Sequence, residues 1–213
     1  MSAKTPIESR NVLIESDRAL TNEDKARFSY FGVNAKILPP FRILNPQNIV
    51  IGDRVAIREG CHINAFKDLS FLRGYIEKQY QNDFEDSQYI YDGKITLEHT
   101  SQFGRFLFMS CTKSITVQDH VVFSERVFVG DNNHGFSHPN VPIIQQPNKR
   151  GEPVVVGRGS WIGVGAAILA GARLGRNTVV GANSVVKSGD YPSHAVIAQP
   201  AATVLYRRHD LDD

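Results

Sequence analysis

The sequence predicts an all-β solenoid, and three observations carry that prediction. The first is a period: Val156, Ile162, Ile168, Leu174, Val180 and Val186 fall six residues apart without a slip. The second is what surrounds each of them. Two residues earlier stands Val154, Ser160, Ala166, Ala172, Thr178 or Ser184, all small or β-branched, and a glycine follows directly at Gly157, Gly163, Gly175 and Gly181. Alternate side chains of a strand share a face, so both marked positions point inward and the residue between them points outward. The glycines are expected to supply the positive φ of a tight turn. The third observation is that the same spacing returns in four earlier blocks. A six-residue unit is too short for a core of its own, so stacked strand-and-turn units around one shared interior are what remains.

Taken in order, residues 1–30 read as an N-terminal arm. Thr21 to Asp24 has the pattern of a helix cap, and the helix is expected over Lys25 to Tyr30, where it would cover the open end of the solenoid. The repeat domain spans residues 31–186. Its early blocks are Phe31, Ile37 and Ile43; Ile51, Ile57 and Ile63; Leu97, Phe103 and Met109; and Val117, Phe123 and Val129. With the final run these make eighteen hexads. Residues 66–93 interrupt the repeat with seven aromatics (Phe66, Phe71, Tyr75, Tyr80, Phe84, Tyr89, Tyr91), and residues 130–153 interrupt it again. Residues 187–213 read as a C-terminal tail, and Gly189 as a one-residue insertion in the turn after Val186.

Composition narrows the function. No stretch approaches the roughly 20 apolar residues of a membrane span, and the N-terminus lacks the continuous apolar core of a secretory signal. Two cysteines, Cys61 and Cys111, lie inside the repeat and favour a reducing compartment, so a cytoplasmic protein is expected, at most near the inner face of the membrane. Charge is uneven: residues 1–148 carry 16 Lys+Arg against 17 Asp+Glu, whereas residues 149–208 carry eight basic side chains against Glu152 and Asp190 alone. Such a half attracts polyanions. Its basic positions are single turn residues without interleaved aromatics, which argues against nucleic acid as the partner.

The excursion Asp131-Asn-Asn-His134-Gly135-Phe-Ser-His138 carries the richest chemistry. Histidine has the side-chain pKa nearest neutrality, which suits it to take a proton from an attacking hydroxyl. Trp161 lies between inward Ser160 and Ile162, so the only tryptophan of the chain faces outward and calls for something to cover it, a ligand or a second subunit.

Together FGVNAKILPPF, NIVIGDRVAI, DNNHGFSHP and VVVGRGSWIGVGAAILAGARLGRNTVVGANSVV resemble the hexapeptide-repeat acyltransferases, over about residues 31 to 205. The likeness is greatest to the branch that O-acetylates bacterial surface polysaccharides such as lipopolysaccharide and capsule. It implies a left-handed parallel β-helix of about six coils, an exception to the right-handed crossover rule. It further implies acetyl-CoA as donor, a carbohydrate acceptor, no metal, and a homotrimer with active sites between adjacent subunits. By the same resemblance His134 is the general base. Trp161, Gly163 and Val164 border the thioester, with the Val164 amide holding the oxyanion. Gly181, Ala182, Lys187 and Ser188 follow the rest of coenzyme A. Asp131, Asn133 and Ser110 are expected on the acceptor side, Asp131 to orient the imidazole or bind the sugar and Asn133 also to fix the loop. The chain departs from the family near its end, where Ala198-Gln-Pro-Ala-Ala202 replaces the usual glycine–proline pair and Arg207 and Arg208 come late.

The residues leave three rival functions. N-acetylation of an amino-sugar nucleotide shares fold, donor and base, but the histidine loop is closer to the O-acetylating branch. A zinc enzyme on this fold needs a five-residue histidine spacing that is absent, and His134-x3-His138 is a poor ligand pair. A purely structural solenoid leaves DNNHG and Trp161 unexplained. Aromatic residues of the first insertion, among Tyr75, Tyr80, Tyr89 and Tyr91, are expected to pack against the apolar face of the acceptor sugar.

Overall fold

A computed structural model describes residues 11–199 of the chain. Three sheets of seven strands each, parallel throughout except for the first strand of one of them, wrap one apolar interior, which makes a three-faced prism. The chain visits the faces in rotation. Face one includes Ile49–Ile51, Lys94–Leu97, Ser114–Val117, Val154–Val156 and Ala172–Leu174; face two includes Val122–Phe123, Trp161–Ile162 and Val179–Val180; face three includes Cys61–Ala65, Phe108–Cys111, Phe128–Gly130 and Ala167–Ile168. Register keeps the marked residues stacked, as in Leu97, Val117, Val156 and Leu174 on face one. The inward positions Ile43, Ile51, Met109, Val156, Ile162 and Ile168 are all 0% exposed. Burial of these branched side chains, each contributing about 1.5–3 kcal/mol, is what holds the prism together.

Two expectations about the frame change. Positive φ does not occur at the glycines that follow the inward residue. It occurs two residues later, at Gly159, Gly165, Asn177 and Asn183, and at positions as varied as Arg54, Thr100 and His120. The earlier glycines serve stacking: a Cβ on Gly163 would lie 2.7 Å from the Ala182 nitrogen of the next coil, and one on Gly52 would lie 2.8 Å from the Glu98 carbonyl carbon. Nor does pairing stop at Val186. Gly189–Tyr191 pairs with Ala172–Leu174, and Val196–Ile197 with Val179–Val180. Tyr191 stacks on Leu174, so the turn after Val186 is one residue shorter than the period, not longer.

At the other end, Leu13–Ser16 runs antiparallel to Phe41–Leu44 and caps an edge that would otherwise be open. Thr21 caps a helix over Asn22–Ala26 in a reciprocal arrangement with Asp24, so the helix starts at the expected cap but ends before Tyr30, which is a strand residue. Those hydrogen bonds from Thr21, with Arg18 beside them, hold the Asp24 carboxyl down at about 2.

Both insertions leave the same corner of the prism, between faces three and one, two coils apart. The tight corner Thr112–Lys113 lies between them. Residues 66–93 fold into three short 3-10 turns, Ser70–Tyr75, Lys78–Asp83 and Asp86–Tyr89. Ile76, Phe84 and Tyr89 from this insertion bury against Val141 from the second, forming a small core outside the prism.

Candidate active site

The His134 loop is a narrow hairpin braced at its base. Glu152 N–H donates to the Asp131 carbonyl at 2.8 Å, and Lys149 N–H to the Asn133 carbonyl at 2.8 Å. The Lys149 ammonium sits 4.0 Å above the Phe136 ring. Beneath the hairpin the Asp131 side chain is completely buried. It accepts from the backbone N–H groups of Thr112 (2.8 Å) and Lys113 (2.7 Å), the Thr112 hydroxyl (3.2 Å) and the Asn132 amide (3.0 Å). The residue therefore ties the loop to the neighbouring corner, and its carboxylate is turned inward, away from solvent. In this position the side chain of Asp131, expected to orient the imidazole or bind the acceptor, holds the base of the loop. Ser110 is half-buried and receives the Asn132 amide at 3.1 Å, while Asn133 is exposed.

His134, one residue beyond the Asn133–Lys149 bond, is exposed, and its side chain makes no hydrogen bond or ion pair among the described residues. His138, four residues on, differs in kind. Its ring packs against Tyr80 and Phe84, its Nε2 lies 3.1 Å from Asp83, and buried Gln146 grips its backbone at both N–H and carbonyl. It joins the two insertions. Tyr89 and Tyr91 do the same, donating to the Gln145 (3.0 Å) and Asn148 (3.3 Å) carbonyls. Both tyrosines are buried, so neither ring offers a face to a sugar; Tyr75 is the exposed one of the four. Burial holds the Tyr91 phenol up at about 12 and the Cys61 thiol likewise at about 12. Burial, reinforced by the Asp131 carboxylate, pushes the Cys111 thiol further still, so both cysteines are inert thiols of the interior.

The residues expected to meet the donor fall at a different edge. Trp161 is 53% exposed on face two, its indole N–H donating to the Ser124 hydroxyl at 3.2 Å. Gly163–Val164 and Gly181–Ala182 are successive rungs of the corner between faces two and three. The Val164 carbonyl accepts the Asn183 N–H at 2.8 Å, but neither the Val164 nor the Ala182 amide N–H donates a bond among the described residues. Both are preformed donors for an oxygen that approaches from outside. Lys187 and Ser188 are exposed at the corner between faces three and one, where Ser188 meets Glu152 at 3.5 Å. Within one chain the structure therefore gathers Trp161, Gly163, Val164, Gly181 and Ala182 at one edge of face three. It leaves His134, Asn133, Ser110, Lys187 and Ser188 at the other. Arg207 and Arg208 lie outside the described residues.

Sequence reasoning missed the partners of the loop. Gln146 and Thr112 are buried polar residues whose only sequence signal is position, Thr112 falling where Met109 to Val117 runs eight residues and not six. Among the described residues no group of three His, Cys, Asp or Glu side chains is gathered as a metal site would require, and no helix is long and apolar enough to cross a membrane.

Comparison with known proteins agrees with this fold. Residues 153–188 match the family described as bacterial transferase hexapeptide (six repeats). It is 32% identical over 123 residues to WbbJ of Escherichia coli K12, whose name describes a lipopolysaccharide biosynthesis O-acetyl transferase, covering 53% of this chain and 60% of that protein. It is 30% identical over 102 residues to the galactoside O-acetyltransferase of Lactococcus lactis, covering 46% and 45%. The chain thus spans about half the length of the curated relatives it matches. Among solved structures, AntD, an N-acyltransferase of Bacillus cereus held with dTDP and 3-hydroxybutyryl-CoA, superposes with a TM-score of 0.63 at 20% identity, over 92% of this chain and 94% of that one. The hexapeptide-repeat acetyltransferase VCA0836 of Vibrio cholerae, held with acetyl-CoA, gives 0.50 at 19% identity, over 89% and 79%. These two likenesses establish the fold.

Proposed function

We propose that this chain is an acetyl-CoA-dependent O-acetyltransferase acting on a sugar hydroxyl of a bacterial surface polysaccharide or its precursor. The observation that carries the reading is the pairing of an exposed, unengaged imidazole on a braced loop with an unused Val164 N–H beside the exposed Trp161. An alcohol is too weakly acidic to attack a thioester unaided at neutral pH. In this reading His134 accepts the hydroxyl proton as the oxygen bonds to the acetyl carbon. The carbonyl oxygen gathers negative charge, which the Val164 amide meets. The carbon–sulfur bond then breaks, and the departing coenzyme A thiolate takes the proton back from the imidazolium. No covalent enzyme intermediate is needed, in keeping with the buried, protonated cysteines.

Because the two halves of this chemistry lie at opposite edges of face three, one chain does not bring them together. A cyclic trimer, in which the His134 loop of one copy meets the Trp161 edge of the next, completes the site. The outward ladder of Phe108 stacked on Phe128 at 5.8 Å, with half-exposed Val185 further along the same face, is an apolar surface of the kind such packing covers. The buried free thiols and the donor support a cytoplasmic placement in this reading.

The test uses purified protein with radiolabelled acetyl-CoA and a panel of acceptors: surface glycan from cells lacking the gene, sugar nucleotides and amino-sugar nucleotides. Transfer giving an alkali-labile ester is expected, with the same ester missing from the glycan of the deletion strain by mass spectrometry. An alkali-stable amide on an amino sugar would replace this reading with N-acetylation.

A further inference from the structure

The tight corner Thr112–Lys113 is the floor of a cleft of about 510 Å³ that neither the donor edge nor the His134 imidazole uses. One wall is the exit of the aromatic insertion, Ile90 to Lys94. The other is Arg150 and Gly151, on the returning leg of the His134 hairpin. Three cations therefore converge from three separate segments: Lys94, Lys113 and Arg150. Lys94 pairs with Asp92 at 2.9 Å, whereas Lys113 and Arg150, both exposed, make no ion pair among the described residues. Asp131 lies under this floor, but its two oxygens are turned to the inward donors already described. The half-exposed Ile90 adds an apolar patch to the insertion wall. Gly151 keeps the floor open toward the hairpin: a Cβ there would lie 2.6 Å from the Thr112 hydroxyl and 3.0 Å from the Asp131 carboxyl carbon.

From this juxtaposition we propose that the cleft is a phosphoanion site taking the diphosphate of an activated sugar acceptor, with its sugar directed to the His134 loop. The inference rests on the acetyl-transfer reading for the sugar and stands on its own for the anion. A guanidinium fork and two ammonium groups from different segments match the several oxygens of a diphosphate better than the two of a carboxylate. Position supplies the rest. Arg150 follows Lys149, which bonds Asn133, the residue before His134. A sugar linked to the bound phosphate is thereby kept beside the imidazole. The two insertions that depart from the repeat thus acquire a shared purpose, since each contributes one wall.

The experiment is isothermal titration of the full chain with inorganic pyrophosphate at low ionic strength. Variants are Lys113→Ala with Arg150→Ala, and as a control pair Arg54→Ala with Arg176→Ala, which are equally exposed at another corner. The cleft pair is expected to weaken pyrophosphate by at least about tenfold, while acetyl-CoA affinity and the control pair stay within about twofold. Competition against labelled pyrophosphate then identifies the source. Displacement by UDP-glucose marks a nucleotide-linked acceptor, and displacement by farnesyl diphosphate a lipid-linked one. Unchanged pyrophosphate affinity in the cleft pair, an equal loss for acetyl-CoA, or displacement by neither diphosphate would overturn the proposal. His134→Ala is expected to bind pyrophosphate normally; an unaltered protein that binds pyrophosphate but transfers no acetyl group to any acceptor would sink the catalytic reading and leave the cleft intact.

Discussion

The run from Val154 to Val186 and the excursion from Gly130 to Pro153 are neighbours in the chain, yet different forces hold them. In the run, Val156, Ile162, Ile168 and Val186 are fully buried in one shared interior, and each coil copies the one before it. In the excursion, cohesion comes from individually placed polar groups: Asp131 on the Thr112–Lys113 corner, Gln146 on His138, and tyrosine hydroxyls on loop carbonyls. The comparison teaches where chemistry can reside. A periodic wall repeats its surface, so it presents a binding edge at identical rungs. A unique constellation needs the period to be broken, and here both breaks occur at one corner.

If that division holds, substitutions in the two regions should fail differently. Ile168→Ala, which empties space inside the prism, should cost about 3 kcal/mol of global stability by urea unfolding. A loss below about 1 kcal/mol would mean that the interior relaxes and the wall is less rigid than described. Asp131→Ala should cost about 2 kcal/mol, because it strands the buried Thr112 N–H and the part-buried Lys113 N–H. Its distinguishing mark is local: hydrogen exchange at Thr112 and Lys113 should accelerate while the amides of Ile162 and Ile168 stay protected. Uniform acceleration would show that the corner is part of the same cooperative unit as the run. Shortening the 66–93 insertion on a correctly assembled variant should raise the acceptor KM about fivefold and leave the acetyl-CoA KM nearly alone, the pattern of lost acceptor binding. Equal shifts in both would reduce the insertion to packing. The smallest effect is a null one. Cys61 and Cys111 are 0% exposed with raised pKa values, so a thiol reagent at pH 8 should label neither until the chain unfolds.

How much of this was legible in the sequence follows the same line. Inward residues from Phe31 to Val186 could be read because strand alternation and a six-residue period are both local rules. The glycines were located correctly and explained wrongly. Gly163 and Gly52 are required by the backbone of the next coil, a contact 19 and 46 residues away, while the positive φ falls on residues as unlike as Arg54 and Asn177. The last strands were hidden because the step to Tyr191 is one residue short, and the single six-residue step from Tyr191 to Ile197 is too short a run to stand out. At the site, the exit of DNNH from the repeat was legible, as was the outward Trp161. The inward turn of Asp131 and the meeting of Lys94, Lys113 and Arg150 were not, since each depends on which segments two irregular loops bring to one corner.

The central claim is that the braced loop at the broken corner does the chemistry while the periodic edge holds the donor. The most direct measurement pairs steady-state turnover with acetyl-CoA titration on His134→Ala, a change at an exposed side chain with no partners among the described residues. The account predicts turnover reduced by at least about a hundredfold, as for loss of a general base, with acetyl-CoA affinity unchanged within about twofold. Near-normal turnover in the folded variant would contradict it.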